Sequence, residues 1–186
     1  DERPFFLCVG FKAPHVQDGR NPPFYVYDTD LTGMLYRDVP LSDPPLSDPA
    51  YFNGLPDFLK RSLNRERWGW RLGTPKLFAD SVRGYYRLVS GVDHAVGEIR
   101  KALEQTDQAK NTVMIFTSDH GVYLGDRGFA GKWLPHESSM RIPLIIYDPR
   151  FEPEKRTRHE HMVLTIDLAP TILNFASTQI PRAIQG

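Results

Sequence analysis

Apolar residues recur at spacings of four and three between Thr74 and Gln105, a period that predicts one long amphipathic helix. Thr74 is a residue type that caps helices, and Pro75 is suited to the first helical position. The residues of the apolar stripe are Phe78, Val82, Tyr85, Val89, Val92, Val96, Ile99 and Leu103.

Three short apolar runs, at residues 4–10, 113–116 and 142–147, predict buried strands. Strand, long helix and strand in this order predict a crossover unit with parallel pairing. Asp167 and Pro170 predict a last helix that runs to Ala176. We therefore expect an α/β fold, with a mostly parallel sheet flanked by helices. Since the first buried run starts at residue 4, we also expect the chain to be a piece of a longer one, incomplete at its N-terminus.

Prolines crowd the stretch at about 21–75. Proline removes a backbone donor and breaks helix interiors, so we expect an extended surface excursion with one short helix near residues 56–64.

Composition predicts one domain over residues 1–186 with a single core. Hydrophobic residues make up 40% and charged residues 25%, and 23 basic side chains balance 23 acidic ones. This composition excludes disordered and coiled-coil classes. The net charge near zero offers no long-range electric field that would attract nucleic acid or an anionic membrane. No apolar run approaches the ~20 residues that span a bilayer. We expect neither a nucleic acid nor a membrane partner.

Asp119 and His120 follow the predicted strand at 113–116, where open parallel sheets place their sites. A carboxylate oxygen and an imidazole nitrogen are both metal ligands. The alternative is that Asp119 caps the following turn and His120 lies on the surface of a loop.

Lys132 and His15 also lie on predicted loops at strand ends. The lysine could neutralise a bound anion, and the histidine could act as a general acid, although each could equally be an ordinary surface residue. Together with Asp119 and His120 they predict an anion-handling metal site.

These segments resemble the sulfatase family, in the same order along the chain. Residues 111–121 match its strand and metal-binding turn, and residues 6–15 are similar to its strand leading into a Pro-His pair. Further matches lie at residues 85–93, 131–133, 141–146 and 166–173. The pattern is most similar to iduronate-sulfatase-like and bacterial glycan sulfatases. The resemblance implies an alkaline phosphatase-like fold, of which this chain is the C-terminal portion.

The resemblance also implies roles. Asp119 and His120 match the last two ligands of a calcium ion, and Lys132 matches the lysine that binds a sulfate oxygen. His15 matches the histidine that contacts the sulfate ester and helps protonate the departing oxygen. Lys12 is expected to contact the substrate only, without a role in the chemical step.

Two departures from the family pattern limit what the chain can do alone. The family nucleophile is a formylglycine made from a Cys-x-Pro/Ser-x-Arg motif, which the surroundings of Cys8 do not match. We expect Cys8 to be a core residue, and the nucleophile and the first metal ligands to belong to an N-terminal part that completes the fold. Arg127 stands where relatives often carry histidine. The isolated fragment is therefore expected to be inactive.

The resemblance predicts hydrolysis of a sulfate ester, on a sulfated carbohydrate or small molecule, in a periplasmic, secreted or lysosomal setting. A metal-dependent phosphoesterase of the same superfamily is one alternative, in which His159 and His161 serve a second metal rather than facing solvent. A non-catalytic binding domain is the other.

Overall fold

A computed structural model describes residues 3–151 and 158–186. The chain divides into two compact units, the first formed by Asp1–Lys101 and Gly121–Arg141, the second by Ala102–His120 and Ile142–Gly186. None of the helices described in these residues is long and apolar enough to cross a membrane.

The long helix predicted from the apolar stripe is confirmed as α5, Pro75–Gln105, numbered after four shorter helices. Thr74 Oγ1 accepts a hydrogen bond from the Leu77 N–H at 3.2 Å, so the predicted cap is formed. Proline at the first helical position loses no intrahelical hydrogen bond.

The proline-rich stretch contains more helix than predicted, namely α1 (Thr29–Thr32), α2 (Pro49–Asn53), α3 (Asp57–Lys60) and α4 (Leu63–Leu72). The prediction of one short helix was wrong because several prolines and aspartates stand where helices start. Asp48 accepts a hydrogen bond from the Ala50 N–H at 2.7 Å, and Pro49 is the first helical residue.

The core of the first unit packs α4 and α5 against the segment that carries Val16, Phe24 and Tyr25. Tyr25 packs edge-on against Tyr85 of α5, with ring centroids 6.0 Å apart. Gly84 permits this approach, since a Cβ there would lie 2.8 Å from Tyr25 Cβ.

A second apolar centre of the same unit surrounds β2 (Tyr123–Leu124) and β3 (Ala130–Gly131), which pair antiparallel. Tyr123 and Phe129 are fully buried and pack edge-on. A short helix, α6 (Glu137–Met140), closes this part of the chain.

The second unit contains β1 (Met114–Thr117), β4 (Leu144–Tyr147) and α7 (Leu168–Phe175), which confirm the two predicted strands and the last helix. The two strands pair antiparallel, with Thr117 opposite Leu144. Both sheets in the described part of the chain have two strands, so the expected parallel pairing is not observed there.

The strand predicted at residues 4–10 does not form, and its apolar side chains are exposed, Phe6 by 75%. Cys8 is likewise exposed, so its assignment to the core was wrong. A strand that is apolar on both faces needs neighbouring strands and covering layers. No strand of the described residues pairs with this run.

Candidate functional site

The predicted metal ligands Asp119 and His120 lie in the turn after β1. Ser118 Oγ donates a hydrogen bond to the His120 carbonyl at 3.0 Å, and Thr117 Oγ1 donates to the Pro143 carbonyl at 3.0 Å. The first bond lies within the turn, and the second holds the turn against the residue before β4 (Leu144–Tyr147).

The Asp119 carboxylate caps this turn and still reaches solvent. Its Oδ1 accepts a hydrogen bond from the His120 N–H at 3.0 Å, and its Oδ2 lies 3.3 Å from His120 Nε2. The Asp119 side chain is 83% exposed and that of His120 is 32% exposed. Capping and ligation are therefore compatible uses of the same carboxylate.

These two side chains suit part of a cation site. Exposed carboxylate oxygens fit a hard cation such as Ca²⁺, which takes about 6–8 oxygen ligands. No group of three or more His, Cys, Asp or Glu side chains gathers around a point anywhere in residues 3–151 and 158–186. Further ligands are needed to complete such a site.

Lys132, in the first unit, follows β3 and is held by α4. The Asn64 side chain is almost fully buried and donates Nδ2–H to the Lys132 carbonyl at 2.7 Å. Both neighbours of Lys132 lie near Arg67 of α4. A Cβ added at Gly131 would lie 3.5 Å from Arg67 Nη1, and the Arg67 guanidinium lies 4.4 Å from the centre of the Trp133 ring. The backbone at Lys132 is thus fixed by one face of α4.

The loop that precedes β3 is also anchored by α4. Arg65 Nη1 donates to the Gly128 carbonyl at 3.0 Å, and its guanidinium packs between the rings of Phe52 and Trp68, at 3.9 and 3.8 Å. Burial lowers the pKa of Arg65. Arg127 in this loop adopts a left-handed conformation, with φ of 56°.

His15 and Lys12 share one turn, in which the His15 N–H donates to the Lys12 carbonyl at 2.9 Å. Both residues are exposed, whereas the adjacent Val16 is buried in the core. His15 Nδ1 lies 2.6 Å from the Val16 carbonyl, which can only accept, so Nδ1 carries a proton. This contact leaves Nε2 to exchange a proton with a ligand.

The structure thus places Asp119 beside His120 in one unit, and Lys12 beside His15 in the other. Lys132 lies in the same unit as Lys12 and His15, against α4. That all of them serve one site stays a prediction.

Sequence reasoning missed Asn64, Arg67 and Arg71 of α4. Spacings of three and four place these residues on one helix face, which is the signal that could have found them. Arg71 is almost fully buried, although arginine is rarely so without a partner.

His159 and His161 lie near each other in the second unit, with ring centroids 6.1 Å apart. Between them in sequence, Glu160 pairs with Arg158 at 3.0 Å. No third ligand joins them within the described parts of the chain, and a second metal there stays an alternative.

Comparison with known proteins gives a family model, described as Sulfatase, that matches residues 1–178. The chain is 29% identical to an arylsulfatase of Clostridium perfringens over 99% of this chain and 36% of that protein. It is 33% identical to an endo-4-O-sulfatase of Bacteroides thetaiotaomicron over 100% of this chain and 32% of that protein.

A solved structure, described as a complex with its substrate D-glucosamine-2-N,6-O-disulfate, is 31% identical, with a TM-score of 0.55. The alignment covers 69% of this chain and 26% of the chain in that structure. The chain spans about a third of the length of the curated relatives it matches. Because the family model matches residues 1–178 of this chain, the chain belongs to the sulfatase family.

Proposed function

We propose that the protein to which this chain belongs hydrolyses a sulfate ester of a carbohydrate, so that ROSO3⁻ and water give ROH, SO4²⁻ and a proton. The observation that carries this proposal is the sulfatase match over residues 1–178, which includes every predicted site residue. The named substrates of the relatives, a 4-O-sulfate and a sulfated glucosamine, support a sulfated carbohydrate.

Lys132 binds a sulfate oxygen and offsets the negative charge that grows on the sulfuryl group in the transition state. Its backbone is held by Asn64 at 2.7 Å, so the ammonium extends from a fixed point. Preorganisation of this kind lowers the cost of charge stabilisation at the moment of reaction.

His15 donates a proton from Nε2 to the departing oxygen. The Val16 carbonyl, 2.6 Å from Nδ1, keeps the other nitrogen protonated and orients the ring. An alkoxide leaves poorly without a proton, so this step matters most for sugar substrates. Lys12, in the same turn, is a candidate contact for the remainder of the substrate.

Asp119 and His120 supply two ligands of a divalent cation, which we propose to be calcium. When bound, the cation withdraws charge from the sulfuryl oxygens. We further propose that a formylglycine outside this chain is the nucleophile, because Cys8 lacks the required motif. A mostly parallel sheet in the whole protein and a location outside the cytoplasm belong to the same proposal, by analogy with the family.

Two variants of the whole protein test the roles of Lys132 and His15 on two substrates, a sugar sulfate and 4-nitrophenyl sulfate. Lys132→Ala should lower kcat about 10²–10³-fold on both, because each transition state loses the same charge partner. His15→Ala should lower it about 10²-fold or more on the sugar sulfate and far less on the aryl sulfate, whose phenolate leaves without a proton.

Lys110→Ala and His94→Ala, at exposed positions, are the matched controls and should keep full activity. Near-normal turnover in both test variants would exclude the assignment. Comparing 4-nitrophenyl sulfate with 4-nitrophenyl phosphate separates the alternatives, since a preference for phosphate indicates a phosphoesterase. No turnover of these two esters or of the sugar sulfate indicates a non-catalytic domain.

A further inference from the structure

One face of α4 carries two arginines, and Arg67 of this pair lies next to the backbone that presents Lys132. Asn64, Arg67 and Arg71 follow one another at spacings of three and four, so they share that face. Asn64 donates a hydrogen bond to the Lys132 carbonyl, and Arg67 packs on the Trp133 ring and lies near Gly131, the residues on either side of Lys132.

Arg71 is 3% exposed and its Nε has no hydrogen-bond partner in the described part of the chain. The described ion pairs include neither Arg71 nor Arg67. Burial is the largest cause of the lowered pKa of Arg71, while the Tyr25 hydroxyl and Asp18 raise this pKa and Arg67 lowers it. A buried cation without an ion pair is costly, so this arrangement needs an explanation.

The neighbouring phenol does not neutralise the arginines. Burial raises the pKa of Tyr25 to about 12, so its hydroxyl is uncharged near neutral pH. Arg67 is only half-buried, and its Nε likewise has no hydrogen-bond partner among the described residues. Both guanidinium groups therefore have an Nε without a hydrogen-bond partner among the described residues and lie on the face of α4 that holds Lys132, and the guanidinium of Arg67 reaches solvent.

We propose that Arg67 and Arg71 form an anion subsite that binds a second negative group of the substrate, a sulfate or a carboxylate, beside the ester that Lys132 binds. A planar guanidinium matches both groups because it donates two parallel N–H bonds to paired oxygens. The inference rests on the proposed function. It narrows the substrate class to carbohydrates with at least two anionic groups.

The test compares three substrates of the whole protein: a monosulfated glucosamine, the same sugar with an added N-sulfate, and the monosulfated sugar linked to a uronic acid. In the wild type, the added anion should lower KM. Arg67→Gln and Arg71→Gln should each raise KM for a dianionic substrate about tenfold or more, with kcat and the monosulfated substrate little changed. Which dianionic substrate responds tells whether the second group is a sulfate or a carboxylate.

Arg61→Gln, at an exposed position just before α4, is the matched control and should behave as wild type. Arg71→Lys keeps the charge without the planar fork and should recover only part of the affinity. If Arg71→Gln fails to fold, the comparison rests on Arg67→Gln and Arg71→Lys.

Equal effects of the arginine variants on mono- and dianionic substrates, or no effect on either, would overturn the subsite and assign the arginines a structural role. Either result leaves the proposed function intact, because the wild type still turns over the monosulfated sugar. Failure of the proposed function looks different, since the wild type then releases sulfate from none of the three substrates.

Discussion

Tyr123 and His136 form a partly buried polar contact beside β2. The Tyr123 hydroxyl is 2.6 Å from His136 Nδ1 and donates to the Leu134 carbonyl at 3.2 Å. Burial raises the pKa of Tyr123 and lowers that of His136, and the charge of Arg127 also lowers the pKa of His136. The site therefore favours an uncharged imidazole.

This environment predicts a loss of stability in acid. Because the folded-state pKa of His136 lies below its ordinary value of 6.5, the unfolded chain binds more protons between the two values. The free energy of unfolding should therefore fall as the pH drops below about 6.5. Urea unfolding at pH 7.5 and 5.5 measures it, and His136→Asn should show a smaller difference between the two. An equal difference in variant and wild type would exclude His136 as the cause.

The helix α5 contains glycines in two kinds of environment. A Cβ at Gly84 would lie 2.8 Å from Tyr25 Cβ, whereas a Cβ at Gly91 would meet no atom within 4 Å. The same substitution at the two positions therefore separates close packing from helix propensity.

Gly84→Ala should lower the free energy of unfolding by about 1–3 kcal/mol, because Tyr25 must move. Gly91→Ala should raise it by about 0.5–1 kcal/mol, since alanine restricts the unfolded chain and favours helix. Denaturant titration of both variants beside the wild type measures whether each substitution raises or lowers the free energy of unfolding. A stabilised Gly84→Ala protein would show that α5 and Tyr25 are not tightly packed.

The chain as a whole has two compact units, with predicted metal ligands in one and predicted sulfate contacts in the other. As predicted ligands, Asp119 and His120 would supply only part of the about six to eight ligands that calcium takes. The rest of such a site has to come from elsewhere in the protein.

The isolated 186-residue chain should therefore bind calcium weakly, with Kd weaker than about 10⁻³ M, whereas the whole protein should bind it more tightly. Titration calorimetry measures both, with circular dichroism to establish that the isolated chain is folded. In the whole protein, Asp119→Asn should weaken binding, and Asp107→Asn is an exposed control. Tight binding by the folded isolated chain would contradict the partial site.

Local signals predicted the elements whose formation depends on local sequence. Helix α5 followed from its apolar period and from the Thr74 cap, and β1 and β4 followed from short apolar runs. Asp167 directly precedes α7 at the predicted position, but its carboxylate does not cap the helix and accepts a hydrogen bond from the Leu164 N–H at 2.7 Å. The predicted family was also confirmed, since ordered motifs survive in the sequence whatever the packing.

Tertiary packing decided the remaining features. The run at 4–10 has the composition of a buried strand, but strand formation depends on partner strands, which its own residues do not specify. Whether β1 and β4 pair parallel or antiparallel likewise depends on the path of the chain between the two strands.

The arginine pair of α4 shows the same division between sequence and structure. Its helical spacing is readable in the sequence, but helix spacing alone does not tell which face is covered or by what. Arg71 is enclosed without an ion pair among the described residues, and its neighbours Tyr25 and Ser81 come from other segments of the chain. Residue type and spacing thus specify elements and motifs, whereas burial and charge environment arise only when distant segments meet, because they are properties of the surrounding atoms.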